Sequence, residues 1–170
     1  AAELVGGKAY VFGGGGASNS VFAFNREFDF ATNAWVTKST MPTARSIMAH
    51  GTIGGKIYAV AGKNGPSPPG TAVSEEYDPA ADTWTVRAPA PTVREWMASA
   101  VVAGRLYVIG GSDGSPLATN EEYDPGVAQR FAGFQPNTQY SFKAKARNIA
   151  GVETGETSVV STYTLAAAPA

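Results

Sequence analysis

Glu75-Glu76-Tyr77-Asp78-Pro79 recurs letter for letter as Glu121-Glu122-Tyr123-Asp124-Pro125. A five-residue word repeated within a chain of 170 residues points to internal duplication, and the flanking residues follow one register. Gly6-Gly7-Lys8-Ala9-Tyr10-Val11-Phe12-Gly13-Gly14 aligns with Gly54-Gly55-Lys56-Ile57-Tyr58-Ala59-Val60-Ala61-Gly62. Both align with Ala103-Gly104-Arg105-Leu106-Tyr107-Val108-Ile109-Gly110-Gly111. In the same register Phe28-Asp29 falls on Tyr77-Asp78 and Tyr123-Asp124, Trp35 on Trp84, and Arg45 on Arg94.

The middle copy reads as four short strands. Residues 47–53 and 56–61 flank the Gly54-Gly55 turn, and residues 73–77 end at Asp78-Pro79, a pair that fixes φ and offers an Asx turn. Residues 83–87 form the fourth strand. A lone four-stranded sheet cannot bury both faces, so the copies are expected to stack, with Tyr77 and Trp84 large enough to fill the space between sheets.

These units resemble the kelch repeat, whose four-stranded sheets are the blades of a β-propeller. The resemblance rests on the Gly-Gly after the second strand (Gly13-Gly14, Gly110-Gly111, with Ala61-Gly62 as a departure), the aromatic-Asp pairs, and a Trp seven residues after the aromatic. It covers residues 5–125. The blade signature then comprises Tyr10, Gly13, Gly14, Phe28, Trp35, Tyr58, Gly62, Tyr77, Asp78, Trp84, Tyr107, Gly110, Gly111, Tyr123 and Asp124.

The repeat stops after Pro125, since Arg130 stands where the next aromatic is due. From Phe134 the pattern is different. Tyr140, Phe142, Ala144 and Ala146 alternate with polar residues, and Val159, Ser161, Tyr163 and Leu165 mark one face of a last strand. This stretch resembles the closing part of a fibronectin type III domain, with Pro136-Asn137-Thr138-Gln139-Tyr140 similar to its tyrosine corner. The expected fold is all-β: an incomplete kelch propeller in residues 1–127, then a fibronectin-like hairpin and tail in 128–170. The first kelch unit is expected to lack its opening strand and the third its closing one, leaving about two and a half blades where propellers usually hold roughly 4–8. Open blade faces imply a fragment of a longer chain, self-association, or cover by the C-terminal hairpin. The opening Ala-Ala-Glu-Leu-Val-Gly-Gly has no methionine, basic start or apolar run, and reads as a cut inside a longer chain.

Composition narrows the function. Charged residues are only 16% of the chain and the net charge is −1, which gives no general attraction for nucleic acid. No apolar run is long enough to span a membrane. The chain has no cysteine and one histidine, His50. A copper radical oxidase, which joins a kelch propeller to an immunoglobulin-like domain, is therefore excluded, and no metal or cofactor is expected. His50 reads as a structural residue. The paired glutamates Glu75, Glu76, Glu121 and Glu122 read as a solvated strand face, and Asp78 and Asp124 as turn residues.

What remains is a non-enzymatic binding module for a protein or carbohydrate. The resemblance places partners on loops at one mouth, where Arg45, Arg94, Glu95, Trp96, Asn64 and Asp113 are the candidate binding residues. Trp96 stands where the preceding unit has Ile47 and would be a hot spot if exposed, or blade packing if buried. The two resemblances together imply a bacterial surface or secreted multidomain protein. The alternatives are a sugar-modifying enzyme of the kelch epimerase type, using Arg45, Arg94 and Glu95 in a funnel, and a truncated gene product without function.

Overall fold

The computed structural model describes residues 1–66 and 70–124, together with the backbone of two strands at 139–142 and 160–163. The chain divides into two compact units, Ala1–Val127 and Ala128–Ala170. Among the described residues the only helical element is a short 3-10 turn at Ala17–Asn19, and no helix is long and apolar enough to cross a membrane.

The first unit holds three antiparallel sheets, each in sequence order. The first contains β1 (Ala2–Val5), β2 (Lys8–Phe12), β3 (Asn25–Asp29) and β4 (Ala34–Thr37). In the second are β5 (Ala49–Ile53), β6 (Lys56–Gly62), β7 (Thr71–Asp78) and β8 (Thr83–Arg87). The third contains β9 (Ala98–Val102), β10 (Arg105–Ile109) and β11 (Asn120–Tyr123). In the second unit β12 (Gln139–Phe142) pairs antiparallel with β13 (Val160–Tyr163). The rest of 128–170, including Arg130 and the Pro136 motif, lies outside the described residues.

One expectation is corrected. The first sheet has its opening strand, because β1 pairs with β2 from Ala2↔Val11 to Val5↔Lys8. Four residues are too few to show an alternating pattern, and the pairing comes from the Gly6-Gly7 turn. Gly54-Gly55 makes the matching turn of the second sheet with φ of +59° and +78°, the doubly left-handed geometry that suits a two-residue hairpin. At the far hairpin, Asp78 Oδ1 accepts from the backbone N–H of Ala80 at 2.9 Å and Ala81 at 3.3 Å, and Asp29 Oδ1 does the same for Ala31 and Thr32. The aspartates are turn residues, as their sequence position implies.

The sheets stack face to face. Between the first and second, Tyr10 and Phe12 pack on Ile57, Ala59 and Tyr77 with Trp84 beside them. Tyr58 and Val60 pack on Leu106 and Val108 with Tyr123 beside them. The repeat is visible atom by atom: the Tyr10 and Tyr77 rings lie 5.8 Å apart, and Tyr58 and Tyr123 lie 5.9 Å apart. Between sheets the backbones come closest along β1, β5 and β9, while β4 and β8 stand apart, so the sheets fan outward from their first strands.

Trp35 differs from its copy. Its copy Trp84 sits against Phe12 and donates from Nε1 to Ser39 O at 2.8 Å. Trp35 itself is 56% exposed, because the first sheet's outward face has no neighbouring sheet among the described residues.

The first glycine of the Gly-Gly pair is required by both conformation and space. Gly13 has φ +58°, and a Cβ there would lie 2.5 Å from Met48 Cε and 2.6 Å from Arg45 O. Gly54 has φ +59° but nothing within 4 Å of the added carbon. Gly54→Ala is expected to cost about 1 kcal/mol, the left-handed penalty alone. Gly13→Ala should cost at least ~2 kcal/mol more through overpacking, measured by urea denaturation; equal losses would refute the close approach.

Candidate functional site

Each glutamate of the repeated Glu-Glu pair faces a different way, since successive strand residues point to opposite faces. Glu75 is fully buried and accepts from Arg45 Nη2 at 2.6 Å. The Arg45 guanidinium also donates to Ala61 O at 3.0 Å, Val73 O at 2.5 Å and Ala59 O at 3.3 Å. In the next unit Arg94 Nη2 lies 2.5 Å from Glu121 Oε1, and its Nη1 donates to Gly110 O at 3.1 Å. Each linker arginine thus ties the loop ends of β6–β7 or β10–β11 to the chain arriving from the previous sheet. Burial pulls the Arg45 pKa down, opposed by the charge and hydrogen bond of Glu75.

Glu76 points the other way and collects three donors: Tyr58 OH at 2.9 Å, Lys56 Nζ at 2.8 Å and Arg87 Nε at 2.8 Å. Glu27 does the same work for Tyr10 at 2.8 Å and Lys8 at 2.5 Å, and Glu122 for Tyr107 at 2.9 Å and Arg105 at 2.5 Å. The reading of these carboxylates as a solvated face is therefore overturned for Glu75 and Glu76, both buried. Glu122 alone keeps an exposed position. Their partners are non-local in sequence, which is why the pattern of the strand could not reveal them.

The same geometry corrects the candidate binding residues. Arg45 and Arg94 are 0% exposed and committed to carbonyls and carboxylates. Glu95 is also buried, its backbone bridged to Ser112 in both directions at 2.9 and 2.8 Å, and its Oε2 has no hydrogen-bond partner among the described residues. No funnel-facing Arg/Glu pair for sugar epimerisation is formed by these three residues. Asn64 and Asp113 lie at the surface on separate loops.

Trp96 is different. It is 65% exposed with φ +63°, a left-handed conformation that a bulky residue rarely adopts. Ile47, its copy in the preceding unit, is held at φ +51°. Both line a cleft of about 300 Å³ at the loop end of the sheets. The cleft floor is Gly14–Gly16, and Ser46, Asn19, Ser20 and Lys63 supply polar edges. Ser46 and Lys63 are locked by reciprocal backbone hydrogen bonds of 2.9 and 2.8 Å, while Lys63 Nζ donates to Asn19 Oδ1 at 3.1 Å. The glycines keep the floor open, and the bridge keeps it rigid.

His50 is more than an isolated core residue. Its Nδ1 lies 2.7 Å from Glu3 Oε1, and Thr52 Oγ1 donates to Glu3 Oε2 at 2.8 Å, so β1 and β5 are joined through side chains. Burial opposes ionisation of Glu3, but the hydrogen bonds from His50 and Thr52 leave its pKa lowered. No group of three or more metal-ligating side chains occurs among the described residues.

Residues 44–91 and 97–128 match the model of the Kelch motif. They form a kelch-repeat region. The first matched segment runs from the Arg45 linker through the second sheet, and the second begins just after Trp96 and takes in the third sheet. No curated protein matches the chain. Kelch repeats are in general non-catalytic binding modules.

Two outcomes follow. Arg45→Met should destabilise the kelch-repeat region by about 3–5 kcal/mol, the cost of leaving a buried carboxylate unpaired. Adding Glu75→Leu should return less than half of that loss, because three carbonyls stay uncapped; full recovery would show that the arginine serves the ion pair alone. The second concerns pH. The hydrogen bond from Lys8 lowers the Glu27 pKa below its ordinary 4.5; for Glu76 burial acts upward but is outweighed by Lys56, Tyr58 and Arg87. Groups depressed on folding add stability above their unfolded pKa and lose it as pH falls through the folded one. The thermal midpoint should therefore drop progressively below about pH 4.5, and less steeply in a Glu27→Gln/Glu76→Gln variant.

Proposed function

We propose that the first unit is a non-catalytic protein-binding module, with Trp96 as the anchor of the loop-end cleft. The observation that carries this reading is a large aromatic side chain held in solvent by a strained backbone. Strain of this kind persists where the surrounding structure enforces it and clusters at binding sites. An exposed tryptophan beside a rigid, glycine-floored cleft has the make-up of an interface hot spot. The partner group is an extended segment that lays an apolar side chain against Trp96 and meets the polar edge of Ser46, Asn19 and Lys63. Within this proposal, residues 1–127 are the kelch part. Residues 128–170 are a fibronectin-like part, and the parent is an exported surface protein. These last two points rest on the sequence alone.

The test is selection of binders from a random displayed-peptide library, with a glycan array as the carbohydrate arm. Selected peptides should bind Trp96→Ala at least ~10-fold more weakly with an unchanged thermal midpoint. Trp96→Gly should weaken binding equally while raising stability by about 1 kcal/mol, since glycine relieves the left-handed strain. Peptides that bind wild type and Trp96→Ala alike would sink the assignment, and binders found only on the glycan array would replace the partner class.

A further inference from the structure

Asn64-Gly65 follows closely on the end of β6 and is the one Asn-Gly pair in the sequence. Every other described glycine has either a left-handed φ or a neighbour that an added Cβ would touch within 4 Å. Gly65 has neither. The fold therefore does not need glycine at this position. What the residue supplies is an uncrowded backbone nitrogen beside an asparagine.

Asn64 is exposed. Among the described residues the hydrogen bonds at the start of this loop end at Lys63. Its backbone is bridged to Ser46 and its Nζ donates to Asn19, leaving the Asn64 carboxamide and the Gly65 N–H without a partner. The other described asparagines are placed differently. Asn25 is fully buried and donates from Nδ2 to Ser39 O at 3.3 Å. Asn19 is engaged by Lys63, Asn33 is held in a left-handed turn at φ +53°, and Asn120 lies in β11. Each of these four is followed by a residue whose side chain crowds the next nitrogen: Arg26, Ser20, Ala34 or Glu121.

We infer that Asn64 is a site of spontaneous deamidation. The Gly65 nitrogen, giving its proton to solvent base, bonds to Asn64 Cγ, and the carboxamide nitrogen leaves as ammonia with a proton taken from water. The product is a cyclic imide. Water then opens the ring at Cγ, which gives aspartate, or at the backbone carbonyl, which gives isoaspartate. The net reaction consumes one water and releases one ammonia, with no change of oxidation state.

The site stands at the rim of the Trp96 cleft. Lys63 is the one charged residue among those lining that cleft, and the reaction places a carboxylate on the residue next to it. Isoaspartate also inserts a methylene into the backbone directly after the Ser46–Lys63 bridge. The effect on the cleft, unlike the reaction, rests on reading the cleft as a binding site.

The experiment incubates the full 170-residue chain in mildly alkaline buffer over days and follows each asparagine by peptide mapping and mass spectrometry. Acid at position 64 should accumulate at least ~10-fold faster than at Asn33 or Asn120, because only glycine leaves the attacking nitrogen bare. The β-linked part of the product should accept a methyl group from an isoaspartate methyltransferase. Gly65→Val should slow the reaction at least ~10-fold through its branched side chain, with an unchanged thermal midpoint. A rate at Asn64 no higher than at Asn33, or one indifferent to Gly65→Val, overturns the proposal. The effect on the cleft is read separately, with peptides selected on fresh protein. Their affinity for Asn64→Asp should differ from that for wild type by at least ~3-fold. Equal affinity would leave the modification standing and remove its influence on the cleft.

Discussion

Tyr10 and Tyr58, on the second strands of the first two sheets, have to bury an aromatic ring between sheets while keeping the hydroxyl bonded, and a glutamate on the neighbouring strand makes this feasible. Tyr10, Tyr58 and Tyr107 each donate to that carboxylate, which is itself held by Lys8, Lys56 or Arg105 on the tyrosine's own strand. An unbonded phenol at such a position would cost more than the ring's burial could comfortably offset. With it satisfied, the ring is free to stack on the aromatic of the following sheet. Burial and the acceptor glutamate together raise the pKa of Tyr10 and Tyr58, so the neutral form persists well into alkaline conditions.

The doubled glutamate therefore carries two separate jobs on one strand. Its second member anchors the tyrosine within the sheet. Its first member, on the other face, receives the arginine of the linker that enters from the sheet before. One alternation thus couples packing between sheets to the path of the chain between them. The first sheet keeps the tyrosine anchor in Glu27 but carries Arg26 at the other position. Among the described residues the face of this sheet that carries Trp35 has no neighbouring sheet.

This rigid layering is what lets the loop end hold a strained backbone. Ile47 and Trp96 occupy left-handed conformations two residues after the clamped arginines and one beyond Ser46 and Glu95, whose backbones are each bridged across the loop. A clamp and a bridge leave the next residue little choice of φ. In the inner unit the outcome is a partly covered isoleucine; in the next it is a tryptophan in solvent. Position is imposed by the scaffold, whereas the side chain placed there varies, which is the usual division of labour between a sheet framework and its loops.

Repeat register, strand number in the second sheet and the turn roles of Gly54-Gly55 and Asp78 were all determined by the sequence, because each depends on neighbours a few residues away. The stacking of sheets was also legible, since units with two apolar faces need cover. Burial of Arg45, Arg94, Glu75 and Glu95 was not, because it depends on partners 14 to 30 residues distant and on carbonyl groups that no letter of the sequence records. The exposure of Trp35 and Trp96 was likewise decided in three dimensions. Trp35 and Trp84 share one motif position, yet one is covered and the other open according to whether a sheet lies alongside. Local chemistry sets what each strand is, and only the neighbouring sheet decides which of its faces meets water.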